Sequence, residues 1–451
     1  MHRKMSSNKI IKRKIASGRK ARIPPKAVTD RIVSDETQYL MNTYERPPIV
    51  FTHGRGCRLY DSQGRDYLDF LGGIAVNALG HAHPRMVRAI RREAGRAIHV
   101  SNLYRHRYQG LLARKLAELS GLDRVFFTNS GTEAIDAALK LARGYSHAKG
   151  GKGAYEAAGS PKSGILALEN SFHGRTFGAL SITDNAKYRN PFAPLVPGVK
   201  FVRFNDVNDL EAKFDSSVCA IVLETIQGEG GIYPVSSEFW QSARALATRH
   251  DAALIADEIQ CGLGRTGRYF AYQKFDASPD MVAIAKPLAG GLPLGALLAN
   301  DNFAGAFVPG LHGTTFGGGP LVCAAALEFL AVVEEAKLLA NIRERSAELR
   351  TGLGKIAAHY PFIREIRGEG LMLGIDLSRE GAPFVREALR SGLLINCTHG
   401  HVLRLLPPFI IRRRDVAEFL ARFEAVVSRV SKMKAQAKPG NAQAVALAAT
   451  A

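Results

Sequence analysis

One cation stands in an otherwise uncharged stretch of the chain. In MVAIAKPLAGGLPLGA, residues 281–296, Lys286 is surrounded by aliphatic residues, prolines and glycines. Removing an ammonium group from water disfavours its charged form. Lys286 therefore either pairs with a buried carboxylate or presents a neutral amine that can attack an electrophile.

Two adjacent carboxylates end another apolar run. Asp257 and Glu258 follow AALIA and precede IQCGLGRTG. A carboxylate at such depth needs a cationic partner, or its pKa rises. The same stretch has the glycine spacing of dinucleotide-binding loops. We do not favour that interpretation, because the predicted strand has already ended at Asp257 and Pro279 would cut short the helix that such a site requires.

A third candidate is the strand-to-helix junction in FFTNSGTEAIDAALKLAR, residues 126–143. Ser130 at the N-cap and Glu133 three residues later form the pattern of a capping box. Gly131 lets the backbone approach a ligand closely, and the free N–H groups of Gly131 and Thr132 form an anion site suited to a phosphate. The alternative interpretation is an ordinary capped helix.

These three features together suit one cofactor. In an open parallel sheet, ligands gather outside the carboxyl ends of the strands. Pyridoxal phosphate requires a lysine for covalent attachment, an acid that keeps its ring nitrogen protonated, and N–H groups for its phosphate. The sequence therefore predicts a pyridoxal phosphate site that contains Lys286, Asp257 and the junction at Gly131 and Thr132.

The elements that position these residues alternate between short apolar runs and helical patterns. The runs RVFFTN, GILALEN, CAIVLE, AALIADE and MVAIA lack the alternation of half-exposed strands, which indicates a mainly parallel sheet covered by helices on both faces. We predict an α/β fold: a large domain over residues 86–320 that holds this sheet, and a smaller α+β domain over 321–432. Residues 27–85, with a hairpin at LYDSQGRDYLDF, are expected to complete the smaller domain or to bridge to a partner subunit.

Both ends of the chain are predicted to be tails. The sequence has 61 Lys and Arg against 41 Asp and Glu, a net charge of +20, and ten of the cations precede the first acid, Asp30. We interpret residues 1–26 as a solvated extension; an organellar transit peptide and, less favoured, a nucleic-acid-binding arm are the alternatives. The Ala-rich residues 433–451 are expected to be disordered.

Composition argues against several other classes. The five cysteines are scattered and never paired in a CxxC motif, which disfavours a disulfide scaffold or a structural zinc site. HAHP and THGH have no cysteine or carboxylate at ligand spacing beside them, so we predict no metal site. No run reaches the roughly 18 uncharged apolar residues that span a bilayer. We expect a cytoplasmic protein, with organellar targeting as the minor alternative.

From about residue 36 to 430 the chain resembles the class III, pyridoxal-phosphate-dependent aminotransferases, and within them the acetylornithine branch. The resemblance rests on ten motifs in order: GIAVNALGHAHP, HVSNLY, FTNSGTEAIDAALKLAR, SFHGRTFGALS, ETIQGEGG, ADEIQCGLGRTG, AKPLAGGLPLGA, HGTTFGGGPLVCAAAL, GLMLGIDL and GLLINCTHGHVLRLLPP. It implies fold type I, with a mainly parallel sheet of seven strands and a second, smaller domain.

The resemblance also implies a role for each matching position. Lys286 would carry the cofactor and then move the substrate proton, and Asp257 would pair with the ring nitrogen. The other expected cofactor contacts are Gly131, Thr132, Phe172, Glu258, Ile259 and Gln260. Thr315 would reach the phosphate of the other subunit, which implies a homodimer.

Substrate contacts are implied in the same way. Arg175 would hold a substrate carboxylate, because an arginine fork matches a carboxylate at two points, and Thr314 would line the same pocket. Glu229 would neutralise Arg404 while an ω-amino substrate is bound and swing aside when the α-carboxylate of glutamate takes its place. The alternative is a purely structural ion pair between the domains.

The activity implied is transfer of the δ-amino group of N-acetylornithine to 2-oxoglutarate, which yields N-acetylglutamate 5-semialdehyde and glutamate in arginine biosynthesis. Other ω-amines stay open as substrates: succinylornithine, ornithine, succinyl-diaminopimelate and 4-aminobutyrate. A catalytically silent regulator that uses the basic arm on nucleic acid is the alternative from another class. The presence of Lys286, Asp257 and Arg175 argues against it.

Overall fold

The computed structural model describes residues 26–149 and 162–433. Its strands, in chain order, are β1 (Phe51–Arg55), β2 (Arg58–Asp61), β3 (Asp66–Asp69), β4 (Arg124–Thr128), β5 (Gly164–Leu168), β6 (Val199–Val202), β7 (Val218–Glu224), β8 (Ile226–Gln227), β9 (Tyr233–Pro234), β10 (Ala253–Asp257), β11 (Met281–Ile284), β12 (Gly295–Ala299), β13 (Ile363–Glu369), β14 (Met372–Leu377), β15 (Leu393–Leu394), β16 (Asn396–Thr398) and β17 (Val402–Leu405).

The α-helices alternate with these strands through most of the described chain. They are Lys26–Tyr39, Gly72–Ala75, Pro84–Ala94, Gln109–Ser120, Gly131–Lys149, Phe177–Ser181, Ala186–Arg189, Val207–Lys213, Ser237–Arg249, Asp301–Ala304, Pro320–Glu335, Leu338–His359, Ala382–Arg390 and Arg413–Lys432. Short 3₁₀ helices cover Asn190–Phe192, Ala271–Lys274 and Lys286–Ala289.

The central sheet has seven strands in the order β4-β12-β11-β10-β7-β5-β6. Neighbours from β11 to β6 are parallel, whereas β12 runs antiparallel to both β11 and β4. The mainly parallel α/β sheet predicted from the apolar runs is thus confirmed. The reversed strand β12 follows from chain length, because the segment 285–294 is too short for the crossover that a parallel neighbour needs.

The sheet brings the candidate residues to one edge. β10 pairs with β7 so that Asp257 lies opposite Glu224, and with β11 so that Asp257 lies opposite Ala283. Lys286 follows β11 by two residues. Further along the same edge of the sheet, Gly295 of β12 lies opposite Thr128 of β4. Thr128 comes just before the junction to the helix Gly131–Lys149.

A second, smaller sheet has the order β13-β14-β17-β16 and is antiparallel throughout. The helix Arg413–Lys432 buries Val416, Phe419, Phe423 and Val427, the apolar stripe that its sequence period predicts. This is the smaller α+β domain. Its exact limits, 321 and 432, stay predictions, as does the boundary at residue 86.

The N-terminal segment belongs to a third sheet, β1-β2-β3-β15. β2 and β3 form the predicted hairpin, and β3 pairs in parallel with β15, which follows the helix Ala382–Arg390. Phe70 stacks on Phe419 with ring centroids 4.1 Å apart. These contacts join β3 and Phe70 to elements of the smaller domain; the assignment of residues 27–85 as a whole stays a prediction.

Both tails fall largely outside the described residues. Of the predicted extension 1–26, only Lys26 is described, and it begins the helix Lys26–Tyr39; of 433–451, only Met433 is described. Within residues 26–149 and 162–433, every helix is too short or too polar to traverse a lipid bilayer.

Candidate active site

A cavity of about 390 Å³ opens at the carboxyl edge of the seven-stranded sheet. Segments that follow β4, β5, β7, β10 and β11 all contribute to its wall. The predicted residues that line it are Gly131, Thr132, Phe172, Arg175, Glu229, Asp257, Ile259, Gln260 and Lys286. Residues far apart in the sequence thus face one cavity.

Lys286 lies at the floor of this cavity, at the start of the 3₁₀ helix Lys286–Ala289. Its φ angle is +25°, a value that a residue other than glycine rarely adopts and that the surrounding structure must hold. Burial lowers the pKa of its ammonium group, although the charges of Asp257 and Glu229 act in the opposite direction. A lowered pKa increases the fraction of neutral amine at a given pH.

Asp257 is buried at the end of β10, and its carboxylate accepts two hydrogen bonds from the described residues. Its Oδ2 accepts from Nδ1 of His173 at 2.7 Å, and its Oδ1 accepts from the backbone N–H of Ile259 at 3.0 Å. The other ring nitrogen of His173, Nε2, is buried and has no protein partner among the described residues. Sequence reasoning missed His173, although its position beside Phe172 in SFHG was a usable signal.

Glu224, at the end of β7, is a second buried acid on the cavity wall that sequence reasoning missed. Its two carboxylate oxygens accept the N–H groups of Phe172 at 2.9 Å and Gly228 at 2.7 Å. Burial raises the pKa of Glu224 to about 7. His173 opposes this rise in pKa and the charge of Asp257 adds to it. The two carboxyl groups and the imidazole form one buried cluster under the cavity.

The helix Gly131–Lys149 starts at the opposite wall. Oγ of Ser130 accepts the N–H of Glu133 at 3.4 Å, as in the predicted capping box, but the Glu133 carboxylate accepts from the Ser130 hydroxyl group and from the N–H of Asn129 at 2.7 Å. A Cβ at Gly131 would lie 2.7 Å from Cδ1 of Ile259. The absence of a side chain at Gly131 therefore lets the helix N-terminus approach the segment after Asp257.

Arg175 stands at the mouth of the cavity between two aromatic rings. Its Cζ lies 3.6 Å from the ring centroid of Tyr188 and 5.6 Å from that of Phe172. In the described part of the chain, no carboxylate lies within ion-pair distance of Arg175. The guanidinium group is held by its aromatic neighbours and is open to an external anion. Tyr188 was not predicted, because nothing in its local sequence marks it.

Arg404 on β17 is fully buried behind the cavity wall, and Glu229 connects it to the cavity. Nη1 of Arg404 donates to Oε1 of Glu229 at 2.5 Å and to Oε1 of Gln260 at 3.3 Å. Nε of Arg404 donates to Oδ1 of Asn396 at 3.2 Å. The predicted pair of Glu229 and Arg404 is in contact across the two domains.

Glu258 is turned away from the cavity, unlike its neighbours in the segment 257–260. Its carboxylate accepts from the hydroxyl of Thr225 and from the N–H groups of Ala271 and Tyr272, at 2.7 to 2.9 Å. Burial raises the pKa of Glu258 to about 7. As a candidate cofactor contact, the Glu258 side chain is not brought to the site by this fold.

Thr314 and Thr315 also lie outside the cavity wall. Thr314 accepts a hydrogen bond from Asn129 at 3.2 Å, and Thr315 is exposed to solvent. Both lie in a surface loop that ends before the helix Pro320–Glu335.

The groups that line the cavity are those that a pyridoxal-type cofactor requires. It presents an amine with a lowered pKa, an acid fixed by two donors, and the N-terminus of a 19-residue helix where a Cβ would collide. Such helix ends bind phosphate through free N–H groups. Among the described residues, no group of three or more His, Cys, Asp or Glu side chains is placed to hold a metal ion.

Comparisons with known proteins agree with this geometry. Residues 39–427 match the family model described as aminotransferase class-III. Acetylornithine aminotransferase of Aquifex aeolicus is 44% identical over 379 residues, which cover 84% of this chain and 96% of that protein. Acetylornithine aminotransferase 1 of Bordetella parapertussis is 47% identical over 383 residues, 84% of this chain and 95% of that protein.

Solved structures show the same fold. An ornithine aminotransferase of Toxoplasma gondii, described as having partial occupancy of PLP at its active site, superposes with a TM-score of 0.86 at 31% identity and covers 94% of this chain and 98% of its own. The N-acetylornithine aminotransferase of Stenotrophomonas maltophilia superposes with a TM-score of 0.75 at 35% identity, over 88% and 99% of the two chains.

Proposed function

The chain belongs to the class III aminotransferases, a family of pyridoxal-phosphate-dependent transferases, and from this premise we propose that it transfers the δ-amino group of N-acetylornithine to 2-oxoglutarate. The observation that carries the proposal is the convergence of Lys286, Asp257 and the helix N-terminus at Gly131 on one cavity. The acetylornithine aminotransferases among its relatives, at 42 to 47% identity, support the choice of amine.

The cofactor would be held by residues of three strand ends. Asp257, oriented by His173, would face the ring nitrogen, and the N–H groups of Gly131 and Thr132 would bind the phosphate. Phe172 would stack on the ring, with Gln260 and Ile259 beside it. When bound, pyridoxal phosphate supplies a protonated ring that accepts the electron pair released at the substrate carbon.

Lys286 would act as the base. Its lowered pKa favours the neutral amine at Nζ, which is the form that can accept a proton. Its Nζ would accept the proton from the carbon that bears the reacting nitrogen and hold it as an ammonium group until the second transfer. The negative charges of Glu229 and Asp257 act to raise the pKa of Lys286. They would therefore stabilise the protonated lysine between the two proton transfers.

Two arginines would recognise the two substrates. Arg175, which has no carboxylate partner in the described chain, would bind a carboxylate of either one. With N-acetylornithine bound, Glu229 would stay paired with Arg404; with glutamate bound, the α-carboxylate would take Arg404 and displace Glu229. This exchange would let one cavity accept an ω-amine and an α-amino dicarboxylate in alternate half-reactions.

The enzyme would work as a homodimer. Thr315 is exposed and would contact the phosphate in the other subunit, with Thr314 near the substrate. Large apolar side chains nearby are also exposed: Ile98 by 61%, Leu103 by 87%, Tyr104 by 70% and Phe316 by 66%. Exposed large apolar side chains of this kind are typical of a subunit interface. We place the dimer in the cytoplasm and expect no partner other than its small-molecule substrates.

Free ornithine is the second candidate amine, because the Toxoplasma gondii ornithine aminotransferase superposes on 94% of the chain. The deciding experiment compares kcat/KM for N-acetylornithine, N-succinylornithine, ornithine and 4-aminobutyrate with 2-oxoglutarate as acceptor. We expect N-acetylornithine to give the highest value. A higher value for another amine would replace the proposed substrate, and no transfer from any of the four would overturn the function.

A further inference from the structure

Two polar side chains on β16 face the ion pair of Glu229 and Arg404. β16 pairs with β17 so that Asn396 lies opposite Arg404. Residues two apart on a strand share a face, which places Thr398 beside Asn396. Asn396 is 9% exposed and Thr398 is 1% exposed. Neither residue is among those expected to bind the cofactor or a substrate.

The position of Arg404 does not depend on Glu229 alone. Its Nε donates to Asn396 at 3.2 Å and its Nη1 donates to Gln260 at 3.3 Å, and both acceptors are uncharged. Its Nη2 is buried with no protein partner in the described chain. The guanidinium group is therefore fixed by neutral contacts and has free N–H donors for a second carboxylate.

In contrast, the Glu229 carboxylate has one hydrogen-bond partner besides Arg404 among the described residues, the hydroxyl group of Thr398. Oγ1 of Thr398 donates to the main-chain oxygen of Glu229 and lies 3.4 Å from its carboxylate Oε2. A hydroxyl has one proton, so it serves one of these two oxygens at a time. The segment beyond Glu229 is anchored separately, because Nε of Arg367 donates to the main-chain oxygen of Gly231 at 2.8 Å.

We propose that Thr398 is a positioning residue that sets the balance between the paired and displaced positions of the Glu229 carboxylate. Its hydroxyl group favours the position in which Glu229 neutralises Arg404. Thr398 thereby shifts the enzyme towards amines that bring no second carboxylate to Arg404, and away from α-amino dicarboxylates. This inference rests on the proposed function, because the two substrate classes are those of its two half-reactions.

The test uses Thr398→Val, which removes the hydroxyl group at nearly constant size, and Thr398→Ser, which keeps it. In single-turnover half-reactions of the holoenzyme, we measure kcat/KM for N-acetylornithine and for glutamate. From the loss of one hydrogen bond, we predict that Thr398→Val raises the ratio of kcat/KM for glutamate to kcat/KM for N-acetylornithine about fivefold. Thr398→Ser is expected to retain the wild-type ratio, because the hydroxyl group alone is held responsible.

A double-variant comparison separates this role from a general packing effect. In a Glu229→Gln background, Thr398→Val is expected to leave the ratio unchanged, since the charge that the hydroxyl positions is gone. Thr398→Ala serves the same comparison if the valine variant does not fold. Two outcomes would overturn this inference without affecting the proposed function. One is a wild-type ratio of the two kcat/KM values in both Thr398→Val and Thr398→Ala; the other is a shift in that ratio that is as large in the Glu229→Gln background as in the wild-type background. A wild-type enzyme that transfers from neither amine would overturn the proposed function, and the inference with it.

Discussion

Nδ1 of His173 lies 2.7 Å from Oδ2 of Asp257, and both side chains are buried. The carboxylate can only accept, so the imidazole donates and the Nδ1–H tautomer is fixed. The imidazole therefore holds one oxygen of Asp257, while the backbone N–H of Ile259 holds the other. An acid restrained in this way keeps one orientation towards the cavity.

Replacing His173 by phenylalanine is expected to weaken cofactor binding. Asp257 would lose a charge-assisted hydrogen bond, and such bonds contribute about 1.5 to 3 kcal/mol. We predict that the Kd for pyridoxal phosphate rises about tenfold or more, measured by titration of the apoenzyme. His173→Gln retains an N–H donor and is expected to lose less. Equal Kd values for the wild type and the phenylalanine variant would contradict the positioning role.

Lys286→Ala is expected to lower kcat by about 10³-fold or more, because it removes both the covalent attachment and the base. Noncovalent cofactor binding should persist, since the contacts of Asp257 and Gly131 are untouched. The matched control is Lys355→Ala, at an exposed position on the helix Leu338–His359. Borohydride reduction and peptide mapping should locate the cofactor on the peptide with Lys286; substantial turnover by the alanine variant would exclude the proposed base.

Glu224 is predicted to make the protein less stable as the pH rises. Its pKa is raised from an ordinary value of 4.5 to about 7, so between these values the native state binds a proton that the unfolded chain has released. The resulting stabilisation is complete below pH 4.5 and lost as the pH passes 7. A pKa difference of this size corresponds to at most about 3 kcal/mol in the free energy of unfolding.

The measurement is the change in Tm of the apoenzyme between pH 5 and pH 8. Glu224→Gln is expected to flatten this change, because the amide does not titrate. Asp215→Asn is the control: Lys200 lowers the pKa of the Asp215 carboxyl, so its contribution is constant above pH 5. A glutamine variant with the same dependence as the wild type would show that Glu224 is ionised throughout.

Gly131→Ala is expected to weaken cofactor binding, since its Cβ would lie 2.7 Å from Ile259 and the helix end must shift. Gly144 on the same helix has open space around its Cβ position. Gly144→Ala should stabilise the protein by about 0.5 to 1 kcal/mol. The Kd for pyridoxal phosphate and the Tm of both variants decide the outcome, and equal cofactor affinity in both would mean that close backbone approach at Gly131 is not required.

The sheet and much of the cavity could be predicted because strand ends in a parallel sheet converge. Lys286 and Asp257 each follow a continuous apolar run, and the junction at Gly131 has its own capping signature. The antiparallel strand β12 was not predicted, since its apolar run is indistinguishable from that of a parallel strand. The smaller domain was predicted from the change in sequence pattern after about residue 320 and from the apolar stripe of the last helix, which includes Phe419.

The remaining site residues depend on side-chain direction, which the sequence does not give. His173 and Glu224 lie in the buried cluster with Asp257, whereas the next residue after Glu224, Thr225, donates to Glu258. Glu258 was expected at the cofactor from the family resemblance, but its carboxylate is held away from the cavity by Thr225, Ala271 and Tyr272. Thr398 on β16 meets Glu229, in the loop after β8, only because the smaller domain packs against that loop, a contact between distant segments of the chain.

The pairing of β3 with β15 ties the beginning of the described chain to its last quarter. During synthesis the hairpin of β2 and β3 leaves the ribosome early. The strand that pairs with β3, β15, is complete only when the chain has been synthesised beyond residue 394. Until then β3 presents an unpaired strand edge, and Phe70 has no Phe419 on which to stack. Nascent chains that stop short of this point would expose a surface that chaperones bind.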